Sequence, residues 1–262
     1  MNKRWLFDVD GTLTSPREQI DLEFKIWFLE FICNNSVYLV TGSDYEKTIE
    51  QLGETICKTV DAVYCCSGND KRIRGVTIRK FNWRLPDMAS IFLKLALIDS
   101  PYSFRTGNHI EKRQGSINFS VVGRKANLEQ RKHYFEYDKR TGERQKIVDE
   151  FQELFPDLDA VIGGETGIDI YPSGKDKSQV ISDFSVNDHT IFFGDKIFPG
   201  GNDYTLSLQV DSSIQVEGWQ DTWDKIRLVE DIMEEMYDGG RTIINGMGSI
   251  SRTSIMVSKG FI

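Results

Sequence analysis

Apolar residues fall in short blocks, and the period of those blocks changes along the chain. Residues 4–9 (RWLFDV) predict a buried strand, and Gly11 permits a turn after it. Residues 18–34 then carry Ile20, Phe24, Trp27, Phe28 and Phe31 on one helical face. A second strand fits residues 37–40. Ser43 and Glu46 follow in a capping-box spacing, which predicts a helix to about Leu52 before Gly53. Residues 61–65 read as another short strand. This order of strand, loop, helix and strand predicts a parallel sheet with ligand sites at the carboxyl ends of its strands.

Past about residue 82 the texture differs. A helical pattern over residues 86–98 precedes alternating segments at 108–112 and 117–122. Two polar helices, at about 127–137 and 143–154, lead to strands near 159–162 and 168–171. The pattern predicts an antiparallel or mixed sheet with helices on one face. The parallel-sheet texture returns at 189–193, and residues 221–237 read as a closing helix, with Ile226, Val229, Met233 and Met236 suitably spaced. The predicted architecture is α/β: a Rossmann-like parallel-sheet core interrupted by an inserted α+β cap. Its parts are residues 1–81, 82–180 (cap) and 181–262. Residues 238–262 are rich in Gly and Ser, read as a loose extension or an added hairpin, and carry no evident chemistry.

Composition narrows the function classes. The chain has 262 residues, 39% of them apolar, enough for two modest domains. Its formal charge of -8 disfavours a nucleic-acid grip, which depends on neutralising many phosphates. A small anion held by a few local arginines remains compatible. Cys33, Cys57, Cys65 and Cys66 lack paired C-x-x-C spacings, and the only histidines are 109, 133 and 189, so no structural zinc site is expected. No basic amino-terminal segment leads into an apolar run, and no run nears the roughly 18 apolar residues of a spanning helix. The expectation is a soluble cytoplasmic protein with free thiols and no membrane partner.

The chemistry begins at Asp8 and Asp10, two carboxylates where the first strand gives out. Gly11 lets the backbone turn, so the two acids can be aimed differently. Gathering both around a phosphate needs a cation, and Mg²⁺ takes such hard oxygen ligands. A third acid, Asp195, follows the apolar segment 190–193. The expected metal ligands are Asp8, the backbone carbonyl of Asp10, and Asp195; Asp203 is expected behind them, holding the loop or a coordinated water.

Four stretches, FDVDGTLT, TGSD, GKDK and GDKIFPGGND, resemble the four motif regions of the haloacid dehalogenase-like superfamily. The resemblance implies that Asp8 is a nucleophile forming an aspartyl phosphate and that Asp10 is the acid/base. Thr41 or Ser43 can donate to phosphate oxygens; Thr41 is favoured because it occupies the superfamily's position immediately after the second strand. Lys175 and Lys177 both lie near the position of the charge-screening cation. Lys177 is favoured because GKDK is similar to the GWDK segment of phosphomannomutases.

A phosphatase and a mutase share these carboxylates, so discrimination falls to the middle of the chain. There Arg113, Arg124 and Arg131 are spaced by 11 and 7 residues, and with Arg17 they could clamp a second phosphate. Each also has a plainer reading: Arg131, for instance, could pair with Glu129 or Glu136. LFDVDGTLTSPR, SDYEKTIEQLG, the three-arginine segment, GIDIYPSGKDK and FFGDKIFPGGNDY resemble the eukaryotic-type phosphomannomutase family from about residue 4 to 215. The resemblance implies that the four arginines contact substrate and that Asp169 binds sugar hydroxyls. It further implies interconversion of mannose 6-phosphate and mannose 1-phosphate, with glucose phosphates as further candidates. Mg²⁺, a hexose 1,6-bisphosphate activator, supply of GDP-mannose synthesis and a cap-mediated homodimer belong to the same expectation. Three departures stand out: Gly167 where the family has Ser, YCCSGND at 64–70, and the tail. A sugar-phosphate phosphatase, or an impaired binding or assembly protein, remains open on the residues alone.

Overall fold

Strand β1 (Asn2–Phe7) places Trp5, Leu6 and Phe7 wholly out of solvent. A strand apolar on both faces belongs inside a parallel sheet covered on both sides. The structure is a computed structural model that describes the backbone of residues 2–242 and the side chains of residues 2–232. In it β1 lies between β2 (Val37–Val40) and β10 (Asp188–Gly194), parallel to both. The sheet continues with β3 (Ala62–Cys65) beyond β2 and β11 (Ser212–Gln215) beyond β10, again parallel. Strands β4 (Asp70–Ile73) and β5 (Val76–Lys80) extend it antiparallel, giving the order β11-β10-β1-β2-β3-β4-β5. The elements expected from the sequence do not include this hairpin, although Arg74 and Gly75, both at positive φ, form a two-residue turn and Val76 and Ile78 alternate with polar residues. Charged residues surround that short alternation, and β5 is exposed along its length at the sheet edge.

Helix α1 (Leu22–Asn34) begins later than the periodicity suggests. Asp21 caps it, accepting from Glu23 N and Phe24 N, and Ile20 is buried ahead of the cap. The helix lays an aromatic row on the sheet: Phe28 meets Phe7 edge-on at 5.4 Å and Phe31 meets Trp5 at 5.2 Å, while Phe7 stacks on Phe193 at 4.9 Å. Helix α2 (Tyr45–Leu52) is capped by Asp44, whose side chain accepts from Lys47 N, and not by Ser43 as the capping-box spacing suggests. The Ser43 hydroxyl is thereby released for another contact. Helix α3 (Glu54–Thr59) completes this side.

A second, wholly antiparallel sheet has the order β6-β7-β9-β8, from β6 (Ile110–Arg113), β7 (Ser116–Phe119), β8 (Leu158–Gly163) and β9 (Gly167–Pro172). Helices α4 (Asp87–Asp99), α5 (Leu128–Thr141) and α6 (Glu143–Leu154) accompany it, and Leu93, Tyr134, Phe151, Phe119 and Ile170 share a separate apolar core. Asn127 and Gln130 form a reciprocal capping box at the start of α5, and Gly142, in the left-handed conformation, joins α5 to α6.

The chain then returns through a 3-10 segment, Lys177–Asp183, whose Val180 packs with Leu6, Val40 and Phe192. The short α7 (Tyr204–Ser207) precedes β11, and α8 spans Trp219–Thr242, longer than the pattern predicts. Among the described residues, 2–222 form one unit, and those from Trp223 to Thr242, all in α8, fall in a second. Residues 238–242, expected to begin a loose extension or hairpin, instead continue α8; the rest of that expected segment lies outside the described backbone, and Met233 and Met236 lie outside the described side chains.

Because the ring of Phe28 is wholly buried against Phe7, Phe28→Ala is expected to lower stability by about 3–5 kcal/mol, measured by urea unfolding followed by tryptophan fluorescence.

Candidate active site

Parallel register brings the acids together. Phe7 lies opposite Phe193, so the residues just beyond β1 and β10, Asp8 and Asp195, emerge side by side. Asp8 N donates to Phe193 O at 2.9 Å. The loop after β10 folds back until Asp203, wholly buried, lies beside them, and oxygens of Asp8, Asp195 and Asp203 fall within 4.8 Å of one another. Asp203, expected behind the metal carboxylates, stands among them. Gly11, at φ 84°, permits this: a Cβ there would sit 2.4 Å from Asp195 Oδ2.

Lys177 enters from the 3-10 segment and is 1% exposed; its Nζ donates to Asp8 Oδ1 and, at 2.6 Å, to Asp203 Oδ1. Burial opposes the lysine's charge, but Asp203 and Asp8 outweigh it and hold the ammonium above its ordinary pKa. Burial, and then the neighbouring Asp203, push Asp8 up to about 7 against the pull of Lys177. Asp195 is also raised, chiefly by burial. One ammonium serves two of three acids. Lys196 reaches Asp195 Oδ2 at 2.5 Å, while buried Asp195 Oδ1 has no hydrogen-bond partner. A hard divalent cation fits this set: carboxylate oxygens converge, their charge is under-compensated, and one oxygen lacks a donor.

Asp10 is held differently. Its Oδ1 accepts from Gln51 Nε2 at 2.8 Å and Arg17 N at 3.0 Å, and its Oδ2 accepts from Ser43 Oγ at 3.3 Å. Three donors orient the carboxylate while leaving it accessible to a proton. Arg17 adopts φ 66°, and its guanidinium makes no ion pair among the described residues. Thr41 is buried, with its Oγ1 accepting from Ser43 N at 3.0 Å, so Thr41 and Ser43 form one polar turn after β2.

The second sheet carries the other polar group. Glu111 bridges two arginines: Arg113 Nε donates to Oε1 at 2.9 Å and Arg124 Nε to Oε2 at 2.8 Å. Burial would raise the Glu111 carboxyl, but the two guanidinium groups hold it below its ordinary value. Arg113 Nη1 also reaches Asp169 Oδ1 at 3.0 Å, as does Asn118 Nδ2 at 2.7 Å. Arg131 stands 3.3 Å from Glu165 and not at Glu129 or Glu136. Of the four arginines, then, Arg113 and Arg124 are joined through Glu111, Arg131 pairs with Glu165, and Arg17 belongs to the Asp10 loop. At Gly167 a Cβ would sit 2.4 Å from Asn118 Nδ2, so the amide of Asn118 fills the space that a serine side chain would enter. Asn118 Oδ1 is buried without a partner.

Gln51, Glu111 and Asn118 escape sequence reasoning. Glu111 and Arg113 share a strand face two residues apart, a signal that was available. Asn118 faces Asp169 only through the β7–β9 register, and Gln51 reaches Asp10 from the last turn of α2, neither of which periodicity reveals.

Comparison with known proteins identifies the family. Residues 28–235 match the family model described as eukaryotic phosphomannomutase. The chain belongs to that family. A phosphomannomutase of Arabidopsis thaliana is 37% identical over 216 residues, covering 77% of this chain and 85% of its own length. A probable phosphomannomutase of Caenorhabditis elegans is 31% identical over 246 residues, covering 88% and 95%. In fold, the chain is similar to a haloacid dehalogenase-like hydrolase from Bacteroides thetaiotaomicron (TM-score 0.58, 11% identity, 87% of this chain and all of that one). It is likewise similar to a mutant Plasmodium falciparum IMP-nucleotidase (TM-score 0.58, 13% identity, 89% and 68%). At such identities these likenesses establish the haloacid dehalogenase-like α/β fold with its Rossmann-like core.

Removing the ammonium strands two buried acids, so Lys177→Met is expected to lose about 3–5 kcal/mol of stability in EDTA at neutral pH, measured by urea unfolding. Added Mg²⁺ should restore part of that loss. Asp195→Asn is expected to weaken Mg²⁺ binding at least about tenfold by calorimetry, with the fold intact by circular dichroism.

Proposed function

We propose that this chain is a Mg²⁺-dependent phosphomannomutase that interconverts mannose 6-phosphate and mannose 1-phosphate, with hexose 1,6-bisphosphate as activator and intermediate. The carrying observation is the pairing of a buried Asp8–Lys177–Asp203 group at the first sheet's edge with an arginine pair, Arg113 and Arg124, on the second. A reaction that moves phosphoryl between two ends of one sugar needs both kinds of group. Residues 82–180 are read as the inserted cap, with residues 1–81 and 181–262 as the core, and the 3-10 segment as the return between them.

Asp8 attacks the phosphorus of the activator, forming a bond from its carboxylate oxygen as the sugar oxygen departs. Asp10, oriented by Gln51, Ser43 and Arg17 N, gives the departing oxygen its proton. Lys177 holds the Asp8 carboxylate in place and screens charge building on the transferring group. Thr41 and Ser43 donate to phosphate oxygens. Asp8, Asp195, the Asp10 carbonyl and Asp203 would hold Mg²⁺, which would supply positive charge against the phosphoryl oxygens. In the second half-reaction Asp10 takes the proton from the attacking sugar hydroxyl, and the sugar accepts phosphoryl from Asp8. Arg17, Arg113, Arg124 and Arg131 hold the non-reacting phosphate, and Asp169 accepts from sugar hydroxyls, with Asn118 at its side in place of a hydroxyl at 167.

The product is further proposed to feed GDP-mannose synthesis in the cytoplasm; among the described residues no helix is long and apolar enough to cross a membrane. Homodimerisation through the cap is supported by the exposed apolar residues Met88, Ile91, Leu95 and Ile98, which recur at helical spacing along α4.

Purified protein given Mg²⁺, mannose 6-phosphate and a trace of mannose 1,6-bisphosphate is expected to yield mannose 1-phosphate without stoichiometric free phosphate, and to stop on chelation. Steady phosphate release without isomer would instead indicate a sugar-phosphate phosphatase. Binding without phosphate on Asp8 would indicate an impaired binding protein. Arg124→Ala is expected to raise KM for the hexose phosphate about ten- to hundredfold, from the loss of a charge-assisted contact.

A further inference from the structure

The turn between β6 and β7 immediately follows Arg113 and touches the core. Gly115, at φ 73°, lies so close to Asn69 that a Cβ would meet Asn69 Cγ at 2.4 Å. Gln114 Nε2 donates to Phe81 O and, at 3.2 Å, to Asn82 Oδ1, both in the segment after β5. Asn69 is 2% exposed and ties the contact inward. Its Nδ2 donates to Cys66 O at 2.9 Å and Lys175 O at 3.3 Å, and its Oδ1 accepts from Gln179 Nε2 at 3.3 Å. Lys175 and Gln179 flank Lys177 in the chain.

The loop beneath is strained. Cys66 and Ser67 have φ 50° and 57°, two successive residues with side chains in the left-handed region. Such conformations persist only where their surroundings hold them. Here Cys66 N donates to Ser43 O at 2.9 Å, Ser67 N to Thr41 O at 2.8 Å, and Gln179 Nε2 to Ser67 O at 2.7 Å. Burial pushes the Cys66 thiol up to about 11, so it is neutral at physiological pH and serves as packing, not as a nucleophile. The Thr41–Ser43 turn, the Lys177 segment and the Arg113 turn therefore meet at one loop.

We propose that Gln114 and Gly115 determine acceptor specificity: their seating on Asn69 and the 81–82 segment decides whether phosphoryl leaves Asp8 for a sugar hydroxyl or for water. The inference rests on the proposed phosphoryl transfer. In either outcome the bond between the Asp8 oxygen and phosphorus breaks, its electron pair returns to the carboxylate, and the acceptor oxygen forms the new bond while giving its proton to Asp10. A sugar acceptor yields hexose bisphosphate; water yields inorganic phosphate. Only the acceptor differs: the seated turn holds the Arg113 hairpin against the core, so that an arginine-bound sugar occupies the acceptor position in place of water. Two hydrogen bonds and one close contact are few enough to release for exchange and reorientation.

The test measures mannose 1-phosphate and free phosphate together, with Mg²⁺ and mannose 1,6-bisphosphate, for wild type, Gln114→Ala and Gly115→Ala. The expected result is a ratio of free phosphate to mannose 1-phosphate at least about fivefold higher in both variants, with their sum within about threefold of wild type. A general weakening of structure would lower both products together and leave the ratio unmoved. An unchanged ratio in either variant, beside a wild type that makes isomer, overturns the acceptor role alone. A wild type that releases only phosphate overturns this inference and the mutase reading together.

Discussion

A single buried ammonium makes the rest of the first site possible. Without Lys177, three carboxylates meeting within 4.8 Å, two at strand ends and Asp203 from the loop after β10, would repel one another in a medium that screens poorly. With it, Asp8 and Asp203 each gain a charge-assisted hydrogen bond, while the set remains short of positive charge. That deficit is the property a phosphoryl-transfer site needs. The acids are close enough to gather a divalent ion and, in the proposed reaction, a phosphoryl group.

The second sheet answers the same problem with the signs reversed. Arg113 and Arg124 would repel each other, and Glu111 between them takes the Nε of both. Asp169 then receives Arg113 and Asn118 together. In both places an ion of opposite sign fixes like charges at a spacing suited to a ligand. The scaffolds differ: parallel strand ends present the acids, whereas the arginines come from an antiparallel hairpin and the loop behind it.

Much of this was readable from the chain. The apolar run before Asp8, the second run before Asp195 and the Gly immediately after Asp10 fix two strand ends and a turn, and those are the features that juxtapose the acids. Lys177 was readable only through resemblance, since nothing in GKDK itself says which lysine turns inward. The β4–β5 hairpin left only a short trace, an Arg74-Gly75 turn before the alternating Val76 and Ile78, because an exposed edge strand buries no apolar face. Helix boundaries misled where two residues competed for one role. Ser43 has the spacing of a cap, but Asp44, an equally good capping residue, takes it. Gln51, Glu111 and Asn118 act across elements, through contacts that exist only once the fold has formed.

The handover from Ser43 to Asp44 has its own consequence. Had one hydroxyl both anchored α2 and touched Asp10, any change at that position would have unravelled a helix while altering a proton-handling group. With the duties on neighbouring residues, the helix can tolerate variation at 43 and the carboxylate's surroundings can drift over generations without the scaffold failing.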